Sequence, residues 1–448
     1  MVYDAVRSTK RRQAITQETR SEDEVLQSAD RKSLLSASND LRRNYVLAAW
    51  MLRKHVDYIA TFDFQPRGRD SGLKRDLNDF VEWWSHKRNF DVSDRFSRNE
   101  FMRLAEATRT GQGDCFVYKI SSGYLQLIEG DRIANPTYGQ LPDRYNRNDF
   151  VHGVKILKSG KPKFFILNNR REGGGYVYNS VVPAKYMTQH AYWDRVDTRR
   201  GITPLAPVIN TLKDTYEGIT YALAKAKVSQ MFGLIFKRAA EMSIGEVDDG
   251  VDDTDDEDKS AYDIDFGKGP FVADLDPGDE ADFLESKTPS AEFRDFWEIM
   301  AGLVLKCLDI PYSFYNESFT NYSGARGAVL QYEYSANEKR RQNIDLINEL
   351  FRWRLGVAIV NGDFPRLPRG MTINTVPIAW VPRTSPWIDP LNPNKEAEAI
   401  NKVVEGKVLS RQALLRRMNI NFWDVIEELA EEEEAIKERF GGDNESRE

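Results

Sequence analysis

From Thr203 onward the apolar residues Leu205, Val208, Ile209, Leu212, Tyr216, Ile219, Leu223 and Ala226 recur at three- and four-residue steps and run on toward Phe236. Thr203 is a good N-cap and Pro204 stands at the first helical position, so the segment predicts one long helix. The same period returns from Ser290, with Phe293, Trp297, Met300, Val304 and Leu308 on one face and a stop before Pro311. A third run covers about 325–360. Three long helices separated by polar connections restrict the chain more than any single motif, because a stripe of this period is buried only along a helix.

Other segments read differently. Residues 1–35 are polar and lack a stable apolar period, which predicts an arm of low order with some helix. Leu41, Tyr45, Ala48, Ala49, Leu52, Val56 and Ile59 predict an amphipathic helix capped by Asn39 or Asp40. Further helices are expected over 73–86 and 97–110, the latter with Ser97 and Glu100 in a capping box. After Gly111 the period becomes two, and 115–120, 124–129, 150–157, 163–167 and 176–187 read as strands of a small antiparallel unit. Short strands are expected at 261–266 and 270–275 before a Pro277-Gly278 turn, and 364–393 reads as largely extended. The end is helical, with Phe422, Val425, Ile426, Leu429, Ile436 and Phe440 on one stripe. A chain of 448 residues has room for roughly three domains, and this element order gives an α+β class.

Charge is distributed unevenly. The net value is −7, yet 246–258 carries nine acids and no base, and 424–448 carries eleven acids against three bases. These segments contribute −9 and −8, so the rest of the chain is +10. A basic body with acidic appendages points to nucleic acid or another polyanion held near surfaces that do not adhere to it. Lys225, Lys227, Lys237 and Arg238, placed along the long helix after Thr203, read equally as a phosphate-lining groove or as a solvated face.

Several chemistries have no signature. There is no GxxxxGK[ST] loop, and Gly111-Gln112-Gly113 lacks a third glycine. His55, His86, His152 and His190 fit no zinc spacing and read as structural or surface residues. Cys115 and Cys307 exclude a disulfide framework, read as small buried apolar groups and fit a reducing compartment. The most apolar stretch, 300–310, is interrupted by Lys306 and Asp309 and is too short to span a bilayer, and the basic N-terminal region lacks the apolar core of a secretory signal. The 246–258 run reads as a solvated loop with at most weak metal binding. Asp263 and Asp265 fit a two-metal nuclease pair or an alternating strand edge equally well. Ser323 reads as a helix N-cap rather than a nucleophile. The expectation is a protein with no catalytic residue, cofactor or metal.

Specific words occur in a fixed order along the chain: Asp40-Leu41-Arg42-Arg43-Asn44, Ile128-Glu129-Gly130-Asp131-Arg132-Ile133, His152-Gly153-Val154, Val182-Pro183-Ala184 with His190, Arg200-Gly201-Ile202-Thr203-Pro204-Leu205-Ala206-Pro207-Val208-Ile209, Ile310-Pro311-Tyr312, Asn321-Tyr322-Ser323-Gly324-Ala325-Arg326, and Trp387-Ile388-Asp389-Pro390 followed by Lys395-Glu396-Ala397. With the order of elements, these words resemble the portal proteins of tailed bacteriophages, most closely the lambda-type family, over about 39–434. Tyr45 stands where the family usually has a second Asn and Gly324 where it has a second Ser, while 246–258 matches no family word.

The resemblance implies a portal fold and a ring of twelve subunits at one capsid vertex, through which double-stranded DNA is packaged and ejected without sequence specificity. Mapped onto this chain, it implies an arm over 1–35, a wing over 36–202, stem helices over 203–238 and 289–310, and a clip over 239–288. A tunnel loop follows over 311–324, then a long helix and the remainder of the wing over 325–394, and a crown over 395–448. Tyr315, Asn316, Asn321, Tyr322 and Ser323 are then expected to face the channel, although Phe314, Phe319 and Tyr322 could instead pack between subunits. Asp252, Asp253, Asp255 and Asp256 of the clip are expected at a docking surface, and Glu431, Glu432, Glu433 and Glu434 at the inner mouth. Implied partners are the terminase large subunit, a head-tail adaptor, and the major capsid and scaffold proteins, with no membrane. The implied location is the virion, after assembly in the host cytoplasm. Two other readings stand beside this one: a monomeric metal-dependent nucleic-acid-processing enzyme using Asp263 and Asp265, and a different capsid-assembly structural protein.

Overall fold

The computed structural model describes residues 20–68, 70–231, 234–237, 280–283, 291–316, 322–382, 393–408, 410–417 and 422–440. It divides into two compact units, one made of Met1–Lys213 and Met300–Glu448, the other of Asp214–Ile299.

In the first unit, α1 (Glu22–Val25) leads into α2 (Ser28–Asn44) and α3 (Val46–Ile59). The sequence predicts one helix here, starting near Asn39. Instead the chain is helical from Ser28 and breaks at Tyr45, whose φ of −112° and ψ of 112° are extended. The early start has a cause that apolar period does not show: Arg31 is buried beside Leu35 and is held by polar partners. Strand β1 (Phe62–Pro66) follows, then α4 (Ser71–Ser85), whose N-cap Asp70 accepts from the Leu73 amide at 3.0 Å. The short α5 (Lys87–Phe90) precedes α6 (Arg98–Gln112), which begins with the expected Ser97–Glu100 capping box.

Two small sheets come next. Strands β2 (Asp114–Lys119), β3 (Leu125–Glu129) and β7 (Met187–Ala191) form one, in the order β3-β2-β7. Strands β4 (Val154–Ile156), β5 (Pro162–Arg170) and β6 (Tyr176–Pro183) form the other, and every strand pair in both sheets is antiparallel. The strand expected at 150–157 is reduced to three residues because His152 (φ 49°) and Gly153 (φ 82°) turn the backbone. That expected at 176–187 is cut by a 3-10 turn at Ala184–Tyr186, which passes the chain from one sheet to the other. Phe116, Ile128, Phe165, Val182 and Met187 pack between them.

A 3-10 turn at Ala206–Val208 opens α7 (Ile209–Met231). The helix stops short of Phe236: β8 (Leu234–Lys237) pairs antiparallel with β9 (Glu280–Phe283) in the second unit, so Lys237 lies on a strand rather than on the helix. Helix α8 (Ala291–Leu305) tightens into a 3-10 turn at Lys306–Leu308 before Pro311, close to the expected stop. Then come α9 (Tyr312–Asn316) and α10 (Tyr322–Asn361), a 40-residue helix about 60 Å long. Strand β10 (Ile378–Pro382) pairs with β1, placing Phe64 opposite Trp380. Helices α11 (Pro393–Glu405), α12 (Arg411–Arg417) and α13 (Phe422–Phe440) complete the described chain.

Two main cores lie along α10. Tyr332 and Ala336 join Leu47, Met51, Leu205, Leu212, Val304 and Leu308 in one. Further along, Ile347, Leu350, Phe351 and Leu355 join Leu77, Trp84, Phe90, Phe101 and Trp380 in the other.

Candidate functional site

The start of the segment leading to α7 is fixed by a buried guanidinium. Arg200 donates through Nε and Nη2 to the two oxygens of Asp114 at 2.6 and 2.8 Å, a bidentate pair. Its remaining donors reach the carbonyls of Gly130 (2.6 Å), His152 (2.8 Å) and Ile133. Arg31 of α2 adds a contact to Asp114 at 3.1 Å and one to the Gly201 carbonyl at 3.0 Å. Burial alone would raise the Asp114 pKa, but Arg200 and Arg31 outweigh it and hold the carboxylate ionised. The Arg31 pKa falls to about 10, chiefly from burial and then from the neighbouring Arg200. Backbones meet closely here: a Cβ on Gly113 would lie 2.5 Å from the Gly201 carbonyl oxygen, and one on Gly153 would lie 2.5 Å from the Ala134 nitrogen. Three sequence words, at 128–133, 152–154 and 200–209, thus converge on one cation.

A second buried network centres on Glu106 of α6. Its carboxylate accepts from Arg109 (3.0 Å), Thr110 (3.0 Å), Tyr192 (2.9 Å) and Asn343 of α10 (2.9 Å), and lies 3.1 Å from His55 Nε2 of α3. His190 of β7 sits 3.3 Å from Asn343. Burial opposes ionisation of Glu106, yet Arg109 and the bonds from His190 and His55 hold its pKa well below the carboxylate range. His55 and His190 have lowered pKa values, first because burial disfavours the imidazolium. Three of the four histidines are therefore buried structural groups, and His86 is an exposed N-cap of α5. Cys115 is buried as expected, whereas Cys307 is only partly buried, with its thiol pushed up to about 12 chiefly by desolvation.

The loop implied as channel-facing begins on a firm root. Asp309 adopts a left-handed conformation (φ 62°) and accepts from Ser335 (2.5 Å) and Lys339 (2.9 Å), both on α10. On α9, Tyr315 packs edge-on against Trp50 (centroids 5.8 Å apart) and tilts against Tyr312 (5.7 Å). Phe314 stacks on Tyr58 and meets Tyr332 edge-on. Of the predicted loop residues, Tyr315 thus packs within its own chain, while Asn316 is exposed at the end of α9. Tyr322 and Ser323 belong to the first turn of α10, so Ser323 is inside the helix rather than its N-cap. Asn321 and Phe319 lie outside the described residues, as do Asp252, Asp253, Asp255, Asp256, Asp263, Asp265, Arg238 and the strands expected at 261–266 and 270–275. Glu431, Glu432, Glu433 and Glu434 are exposed on α13. The buried networks were missed in the sequence because Arg31, Glu106 and Asp114 are charged residues without an apolar period; the glycines and His152 near them were the readable signal.

Among the described residues no three His, Cys, Asp or Glu side chains are placed to hold a metal, and no helix is long and apolar enough to cross a membrane. What the residues build is a rigid scaffold: buried clamps at the roots of long helices, around small sheets. The fold is α+β. It resembles a structure described as "Neck of empty GTA particle computed with C6 symmetry", with a TM-score of 0.50, 10% identity, and coverage of 86% of this chain and 93% of that one. A second, "Neck of native GTA particle computed with C12 symmetry", gives a TM-score of 0.49 at 11% identity, over 86% of this chain and 93% of that one. The curated "Probable portal protein" of Halomonas phage phiHAP-1 is 24% identical over 387 residues, 81% of this chain and 71% of that protein. Residues 8–340 match the pattern described as phage portal protein, lambda family, and the chain belongs to that family.

Proposed function

We propose that this portal-family chain is the subunit of a closed ring of twelve copies at one capsid vertex, whose channel passes double-stranded DNA during packaging and ejection. The observation that carries the ring is on the long helices. Phe296, Ile299 and Leu303 of α8 are 56%, 63% and 57% exposed, and Ile219, Tyr221 and Leu223 of α7 are exposed as well. Phe296, Ile299 and Leu303 follow at three- and four-residue steps along one face of α8, and exposed apolar side chains grouped in this way mark an interaction face. Heterologous contacts that close by rotation cover such faces without leaving a free edge.

In this reading 36–202 with part of 325–394 is the wing, 203–238 and 289–310 the stem, 239–288 the clip, 311–324 the tunnel loop and 395–448 the crown. The clip docks the terminase large subunit and then a head-tail adaptor; the major capsid and scaffold proteins surround the ring, which is assembled in the host cytoplasm and retained in the virion. DNA must slide without being held. Each phosphate neutralised by Lys or Arg steepens the salt dependence by about 0.9 in log–log slope, so a wall lacking such contacts favours sliding. The exposed Glu431–Glu434 cluster suits an inner mouth that repels DNA. Negative-stain imaging of the purified protein tests the proposal: rings with rotational symmetry are expected, and a monomer at micromolar concentration by sedimentation, without rings, overturns it.

A further inference from the structure

Helices α3 and α6 form a groove of about 430 Å³. Its floor is apolar, from Leu52, Val56 and Leu104, the last 37% exposed. Its rim carries Arg42, Arg53, Arg95 and Arg103 against one acid, Glu100. Arg103 is paired with Asp57 at 2.5 Å, but Arg42, Arg53 and Arg95 form no ion pair among the described residues. An apolar floor inside a cationic rim fits an amphipathic helix whose stripe is bordered by acids.

This chain carries such a helix. On α13, Ile426, Leu429 and Ile436 follow one another at helical spacing and are 45%, 51% and 58% exposed, and Glu432 and Glu433 flank Leu429 and Ile436 on either side. Glu427 is bonded to Lys74 of α4 at 2.8 Å, which attaches α13 to its own chain while leaving that stripe uncovered. We infer that the α3–α6 groove receives the acidic helix α13 of a second copy, with Leu429 and Ile436 on the floor and Glu432 and Glu433 at Arg53 and Arg95. The inference rests on the ring reading, since it requires heterologous contacts between copies.

The test uses full-length protein bearing Leu104→Cys and Leu429→Cys, singly and together, treated with a short bifunctional thiol cross-linker. The double variant should give a ladder of covalent oligomers on a denaturing gel, and neither single variant should. Arg53→Glu with Arg95→Glu should lower the yield of covalent oligomers by about threefold to tenfold, the scale that exposed ion pairs support. Adding Glu432→Arg and Glu433→Arg should restore it. Rings seen by electron microscopy without a ladder overturn the inference and leave the ring reading standing; so does a cross-link confined within one chain. A ladder that charge reversal does not change overturns the assigned contacts. Absence of rings in the unsubstituted protein instead removes the ring reading itself.

Discussion

Replacing Asp114 by Asn tests the claim that one carboxylate fixes the start of the segment leading to α7. In the native protein Asp114 receives two bonds from Arg200, one from Arg31 and, at 3.2 Å, the Gly201 amide. All the charged groups are buried. Asparagine keeps the volume but removes the negative charge, leaving Arg200 without its paired carboxylate, Arg31 with only the attraction of Asp23, and an amide nitrogen facing donors. Breaking a buried pair in this way is worth about 3–5 kcal/mol. The unit holding it comprises about 360 residues. At roughly 2.1 cal/mol/K per residue, its unfolding entropy is about 0.76 kcal/mol/K. The melting temperature should therefore fall by about 4–7 °C, read by differential scanning calorimetry at fixed protein concentration. Arg200→Lys should fall by a comparable amount, because an ammonium cannot serve a bidentate carboxylate and three carbonyls at once. A shift of less than about 1 °C in Asp114→Asn would refute the argument.

Other expectations follow from the same geometry. His55 and His190 have folded pKa values below their ordinary 6.5, so the unfolded chain binds more protons below that pH. Stability should be insensitive to these groups above about pH 7, fall from about pH 6.5 downward, and fall again below about pH 4.5 as Glu106 is protonated; a melting temperature constant between pH 7.5 and 5 contradicts this. Gly153→Ala should destabilise by more than about 1 kcal/mol, measured by urea denaturation, since its φ is positive and its Cβ would strike the 133–134 backbone. In rings confirmed by electron microscopy, replacing Glu431–Glu434 by Gln should slow DNA translocation in a packaging assay, and unchanged translocation would sink the proposed role of the crown. Deleting 315–320 removes Tyr315 from Trp50 within the chain, so the melting temperature should fall; rings of unchanged stability that fail to retain DNA would assign that loop to the channel instead.

Local signals were legible where the side chains that make an element also lie close in sequence. The Ser97–Glu100 capping box, the apolar and aromatic run of β2 and the stripe of α8 follow directly from neighbouring residues. The pairing of β1 with β10 was not legible, because more than 300 residues separate Phe64 from its partner Trp380. Helix α2 was hidden for another reason. Arg31 reads as a surface charge until Asp114, distant in sequence, is placed beside it. The resemblance found the right words in the right order, but the reason for their residues appeared only when Gly130, His152 and Arg200 met. Of the loop residues, Tyr315 was read for polarity, whereas its ring is occupied by Trp50.

Helix α10 has a mechanical consequence. One uninterrupted rod passes from the Lys339 bond at Asp309, through Asn343 in the Glu106 network, to Phe351 and Leu355 in the aromatic core. A close-packed interior transmits strain instead of absorbing it. A load applied where the rod begins is therefore delivered some tens of ångströms away, to the layer that includes β10, with little opportunity to dissipate on the way. The chain behaves there less as a hinge than as a strut, and its compliance must reside in the connections at either end.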